Sequence, residues 1–107
     1  MSSFDRREEG FERKFAHDAE LRFKARARRN KLIGLWAAEK LGMTGAAAES
    51  YASGIVTIDV DKPDSDDVFA RIRKDFDDKG VVLSDHQIRR TMEEALAKAM
   101  AEIDTGT

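Results

Sequence analysis

The chain has no cysteine and a single proline among its 107 residues, and aromatic side chains make up only 7%. Without thiols there can be no disulfide framework, no cysteine zinc cluster and no thiol nucleophile, and a reducing, intracellular compartment is expected. Long apolar runs are missing as well. The longest uncharged stretches, Leu41 to Ala48 and Ser50 to Ile58, fall far short of the roughly 20 apolar residues of a membrane-spanning helix. The opening MSSFDRREEG lacks the apolar core of a secretory leader. These absences predict a soluble, cytoplasmic chain with no direct membrane insertion.

Charge is what the sequence has in quantity: 37% of residues are Asp, Glu, Lys or Arg, and the net charge of −2 hides an asymmetry. Residues 1–40 carry 11 basic and 7 acidic side chains, whereas residues 41–107 carry 8 and 14. Arg22, Lys24, Arg26, Arg28, Arg29 and Lys31 follow one another with no acid between them. A run of this kind marks a surface that meets something charged.

Low proline and abundant Ala, Glu, Lys and Arg favour helix almost throughout. Leu21, Ala25, Leu32, Trp36 and Glu39 follow the three-to-four spacing of one helical face, which Leu35 widens. Gly42 and Gly45 supply a stop. Thr44 then caps a second helix, AAAESYASGIV, with Tyr51, Ile55 and Ile58 on one face; Gly54 and the IVTI run weaken its end. Proline in DVDKPDSDD forbids a continuous helix. Asp64 or Ser65 caps the third helix, Asp66 and Asp67 favour its positive end, Val68, Phe69, Ile72 and Phe76 form its stripe, and Gly80 ends it. Val81, Val82 and Leu83 are expected to tuck inward. Ser84 with Gln87 three residues later forms a capping box, opening a last helix that buries Ile88, Met92, Ala95, Leu96, Ala99 and Ile103. The fold predicted is all-α: a four-helix bundle over residues 20–104, preceded by a mobile or frayed helical segment over residues 1–19.

In that first segment Phe4, Phe11 and Phe15 are spaced by seven and four, so one helical face would carry all three. The residues around them are almost all charged. So polar and short a helix is marginal alone in water. Two readings follow. The phenylalanines are anchors awaiting a groove on a partner, or Phe11 and Phe15 simply extend the first bundle helix.

Candidates for chemistry are few. His17 and His86 each adjoin an aspartate, but adjacent helical positions point in different directions, so neither pair is an acid–base couple. Starting a calcium loop at Asp59 puts Pro63 at the fifth position and Asp64 at the sixth, and starting at Asp64 puts Val68 at the fifth, so both frames fail. No glycine-rich phosphate loop is present. The basic run spreads over most of a helix circumference in an acidic chain, which argues against nucleic acid. A non-enzymatic binding protein with no metal site is expected, and for the basic run a solvated helix face or contact with an acidic protein partner is preferred.

KFAHD, FKARARRNKLIGLWAAEKLG and SDHQIRR make the chain resemble the alphaproteobacterial zeta subunit of the rotary F-type ATP synthase, from about Phe4 to Ala101. The resemblance implies a four-helix bundle whose mobile N-terminal segment inhibits ATP hydrolysis by inserting between subunits of the catalytic head, beside the central stalk. The implied partners are the alpha, beta and gamma subunits, and the implied location is cytoplasmic, peripheral at the inner membrane through the synthase. It further implies Phe4, Phe11 and Phe15 as anchors and Asp5, Arg6, Arg7, Glu8, Glu9, Glu12, Arg13 and Lys14 as polar contacts. Arg22, Lys24, Arg26, Arg28, Arg29 and Lys31 would form an outer docking surface. No cofactor is required; weak adenine nucleotide binding by the bundle, seen in some members, would rest on basic side chains. Gly10 departs from the family, which usually has a good helix former there. The rival reading is a free-standing helical adaptor or weak nucleotide-sensing module.

Overall fold

The computed structural model describes residues 19–58 and 66–104, which form four helices and, among the described residues, no strand. Helix α1 spans Ala19–Lys40, α2 Gly45–Ile58, α3 Asp67–Lys79 and α4 Asp85–Asp104. The all-α expectation holds, with four helices where four were predicted. The expected caps Asp64 and Ser65 lie outside the described residues; the residue preceding α3 is Asp66, whose side chain makes no capping hydrogen bond.

Two glycines end helices by the same device. At Gly42 the φ angle is +82°, Met43 N–H donates to Ala38 O at 2.9 Å and Gly42 N–H to Glu39 O at 3.1 Å. At Gly80 φ is +73°, with Val81 N–H on Phe76 O at 2.8 Å and Gly80 N–H on Asp77 O at 3.3 Å. Both are the paired bonds of a Schellman motif, which satisfies the last carbonyls through a left-handed residue that glycine adopts without steric cost. The capping box also forms: Ser84 N–H donates to Gln87 Oε1 at 2.9 Å, and Gln87 N–H to Ser84 Oγ at 3.1 Å. Helix α2 runs on to Ile58 through the β-branched residues expected to weaken it.

Helix α1 is the hub, packing along both α2 and α4. Small residues make this possible: Ala25, Ala37, Ala38, Ala52, Ala95 and Ala99 are buried. Helix α3 joins through larger side chains. Val68, Ile72 and Phe76 are buried in one cluster with Ile33, Ile55 and Ile88, and the Trp36 ring meets Phe76 edge-on at 5.6 Å.

The buried face of α1 is rotated from the expected one. Of the expected face Ala25 is buried, Leu21, Leu32, Leu35 and Trp36 are half-buried and Glu39 is exposed, whereas Asn30, Ile33, Gly34, Ala37 and Ala38 are buried. Close helix approach needs short side chains at the contact line, so the larger ones are displaced to its flanks. The Val81–Leu83 expectation is likewise corrected at its centre. Val81 and Leu83 are half-buried, but Val82 is 95% exposed, because successive residues of an extended linker point to opposite sides.

Candidate functional site

Phe4, Asp5, Arg6, Arg7, Glu8, Glu9, Phe11, Glu12, Arg13, Lys14 and Phe15, the expected inhibitory contacts, lie outside the described residues, as does His17. His86 is exposed in the first turn of α4.

The basic run can be placed residue by residue. Lys31 Nζ pairs with Glu49 of α2 at 2.6 Å, and Arg28 Nε with Glu102 of α4 at 2.8 Å. Lys24 pairs with Glu20 on its own helix at 3.2 Å. Arg29 Nε donates to Oδ1 of the buried Asn30 at 2.9 Å. At least half of the run therefore answers acids of the same domain, and Lys31 and Arg28 stitch α1 to its two neighbours. Such part-exposed pairs contribute modestly to stability, yet they neutralise charge that would otherwise face outward. Arg26 is half-buried, and Arg22 is exposed with no ion pair among the described residues. The outward basic character is thus concentrated in the first turns of α1.

An aromatic side chain sits in the same turns. Phe23 has 57% of its surface in water. Sequence reasoning passed over it because it is embedded in the basic run and lies off the expected apolar face; only its spacing of eight from Phe15 hinted at it.

The other polar clusters hold α3 in place. Tyr51 Oη donates to Asp75 Oδ2 at 2.7 Å, and Arg71 Nε donates to the same oxygen at 2.9 Å. Burial, followed by the carboxylate of Asp75, pushes the Tyr51 phenol well above its usual range. Arg73 Nη1 donates to Leu83 O at 2.6 Å and Asp85 Oδ1 at 3.2 Å, while its Nη2 reaches Asp77 at 2.7 Å. The Asp77 hydrogen bond in particular raises its pKa further. Arg89 lies over the Phe69 ring at 3.9 Å and approaches Asp66 at 3.4 Å. Tyr51–Asp75, Arg73–Asp85 and Arg89–Phe69 tie one helix to another, whereas Arg71–Asp75 and Arg73–Asp77 lie within α3. Among the described residues, no three His, Asp or Glu side chains converge as a metal site would require.

No curated protein matches this chain. A solved structure entitled "Solution NMR structure of the protein" is similar to it, with 37% identity and a TM-score of 0.70 over 81% of this chain and 99% of the other. A family model described as ATPase inhibitor subunit zeta matches residues 1–102. That span takes in the helical domain, its basic first turns and the segment before them, and the chain belongs to the ATPase inhibitor subunit zeta family, as a non-catalytic, inhibitory regulatory protein.

Proposed function

We propose that the chain restrains ATP hydrolysis by the catalytic head of the F-type ATP synthase, inserting its N-terminal segment at an interface between catalytic subunits next to the rotor. Family membership supports an inhibitory role and implies the ATP synthase as partner. What supports insertion is that the family match begins at residue 1 and so includes Phe4, Phe11 and Phe15. The folded helices meanwhile use much of their own charge internally, at Lys31–Glu49 and Arg28–Glu102.

Three phenylalanines on one helical face suit an apolar cleft, and the charged residues between them suit its rim. A segment that orders as it binds gives up several kcal/mol of the gross interaction, so it holds only where the cleft is open in the right rotational state. Hydrolytic rotation then draws the helix in and jams, and rotation in the synthesis direction expels it. Steric insertion needs no cofactor. The alpha, beta and gamma subunits are the contacts, and the site of action is the cytoplasmic side of the inner membrane, reached through the synthase.

The test is ATP hydrolysis by the isolated cognate head, titrated with the full chain and with Glu8→Pro and Glu12→Pro variants. Proline interrupts a helix at a cost of about 3 kcal/mol, so both variants lose inhibition while their far-ultraviolet circular dichroism retains the bundle. Undiminished inhibition by the proline variants refutes helical insertion. A full chain that neither binds nor inhibits the head refutes the function and leaves the adaptor.

A further inference from the structure

We infer that the partner-binding surface does not stop at residue 18 but continues onto the first turns of α1, where Phe23 enters an apolar pocket rimmed by carboxylates on the catalytic head. The inference rests on the proposed function and names a further contact of that same site.

Phe23 belongs to a stripe that is half-buried at Arg26 and Ala27 and buried from Asn30 to Ala37. Phe23, Asn30, Gly34 and Ala37 are spaced by seven, four and three, so they share one face of α1. Asn30 is 1% exposed, and Gly34 and Ala37 are buried, yet Phe23 is 57% exposed. The reason is the length of α2. The turn at residues 41–44 sends α2 back along α1, and Gly34 lies against Ala52. Helix α2 ends at Ile58, so it extends only about 9 Å beyond Ala52, whereas Phe23 is about 16 Å from Gly34 along the helix axis. The core-facing stripe of α1 therefore outruns the helix that covers it, and a large aromatic side chain stands at the uncovered end. Fully burying such a side chain is favourable, and with 57% of its surface in water that gain is only partly realised here.

The occupant follows from position and charge. Residues 1–18 join α1 at Ala19, only about 6 Å along the axis from Phe23, so a partner holding that segment reaches this turn. In sequence Phe11, Phe15, Ala19 and Phe23 are successive positions four apart, so the row carrying two of the proposed anchors runs on into the folded domain. The flank is basic: Arg22 is exposed with no ion pair among the described residues, and the local acid Glu20 is engaged by Lys24. An aromatic knob beside an exposed guanidinium fits an apolar pocket edged by carboxylates.

The experiment titrates ATP hydrolysis by the isolated cognate head with full-length wild type, Phe23→Ala, Phe23→Leu and Arg22→Glu, and records the melting temperature and sedimentation of each. The midpoint inhibitor concentration is expected to rise at least tenfold for Phe23→Ala, as for a buried anchor. A smaller rise is expected for Phe23→Leu and a several-fold, salt-dependent rise for Arg22→Glu, all at wild-type melting temperature. An unchanged midpoint for Phe23→Ala overturns the inference while the proposed function stands. A fall in melting temperature on Phe23→Ala overturns it too, since Phe23 would then be covered by its own chain. A wild-type dimer that this substitution converts to monomer overturns it by assigning the patch to a second copy. Wild type that fails to inhibit removes the proposed function and the inference with it.

Discussion

Gly34 of α1 and Ala52 of α2 approach so closely that a Cβ built on Gly34 would stand 2.8 Å from the Ala52 Cα and 3.1 Å from its Cβ. Backbone on one side and the core residue Ile55 on the other leave that Cβ no room to yield. Gly54, in α2, is the contrasting case, where a Cβ would meet nothing within 4 Å. Both are helical, so alanine gains about 1 kcal/mol of helix propensity at either. At Gly34 that gain is overwhelmed by the forced separation of α1 from α2, a strain of roughly 1–3 kcal/mol. Urea unfolding should therefore show Gly34→Ala less stable than wild type and Gly54→Ala more stable, the latter by up to about 1 kcal/mol. Equal stability of the two variants would contradict the packing.

That contact explains what was legible in advance and what was not. Helix ends were, because Gly42, Gly80 and the Ser84–Gln87 box act within a few residues of themselves. The stripe of α3 was too, since Val68, Ile72 and Phe76 are large, apolar and on one side of an otherwise charged helix. The inner face of α1 was not. Its leucines and Trp36 mark a different face, while Gly34, which lies against Ala52, and the buried Ala37 and Ala38 carry little hydrophobic signal. Nor could the basic run be resolved: whether Lys31 and Arg28 face outward depends on Glu49 and Glu102, which only the tertiary fold brings to them. Phe23 escaped for the same reason, because its exposure depends on where α2 ends.

Tyr51, the one tyrosine of the chain, gives a pH prediction. Its phenol titrates above its ordinary value in the fold, mainly from burial and then from the hydrogen bond to Asp75. With the folded pKa raised above the unfolded one, the stability Tyr51 adds is fully present below about pH 10 and is lost as pH rises through the folded value. Tyrosinate absorbance should thus show a single step near pH 10 in denaturant and a distinctly more alkaline step in the native protein. Tyr51→Phe should cost about 1 kcal/mol at neutral pH, a deficit that shrinks as the solution becomes more alkaline. A native step coinciding with the denatured one would mean that the Tyr51–Asp75 bond is absent in solution.

Arg73 is the joint between α3 and α4, since one guanidinium serves the Leu83 carbonyl, Asp85 and Asp77. Lysine keeps the charge but cannot serve diverging acceptors with a fixed planar fork. Arg73→Lys is expected to lower the midpoint of chemical denaturation, most of the loss surviving in high salt because the bond to the Leu83 carbonyl is not an ion pair. A deficit that vanishes when salt is added, or no deficit at all, would assign Arg73 to screened surface pairing only.

Gly10 sets how strongly the inhibitory segment works if it must be helical when bound. Glycine costs about 1 kcal/mol relative to alanine in a helix interior, a cost that falls on the complex where helix forms only on binding. Gly10→Ala should therefore lower the midpoint of ATP hydrolysis inhibition by roughly fivefold, without moving the melting temperature of the bundle. The opposite design, Ala16→Gly in the same segment, should weaken inhibition by a similar factor. If the alanine variant inhibits no better than wild type, and Glu8→Pro still inhibits while Glu12→Pro does not, residue 10 lies outside the helical stretch that the partner grips, and the binding helix begins at Phe11.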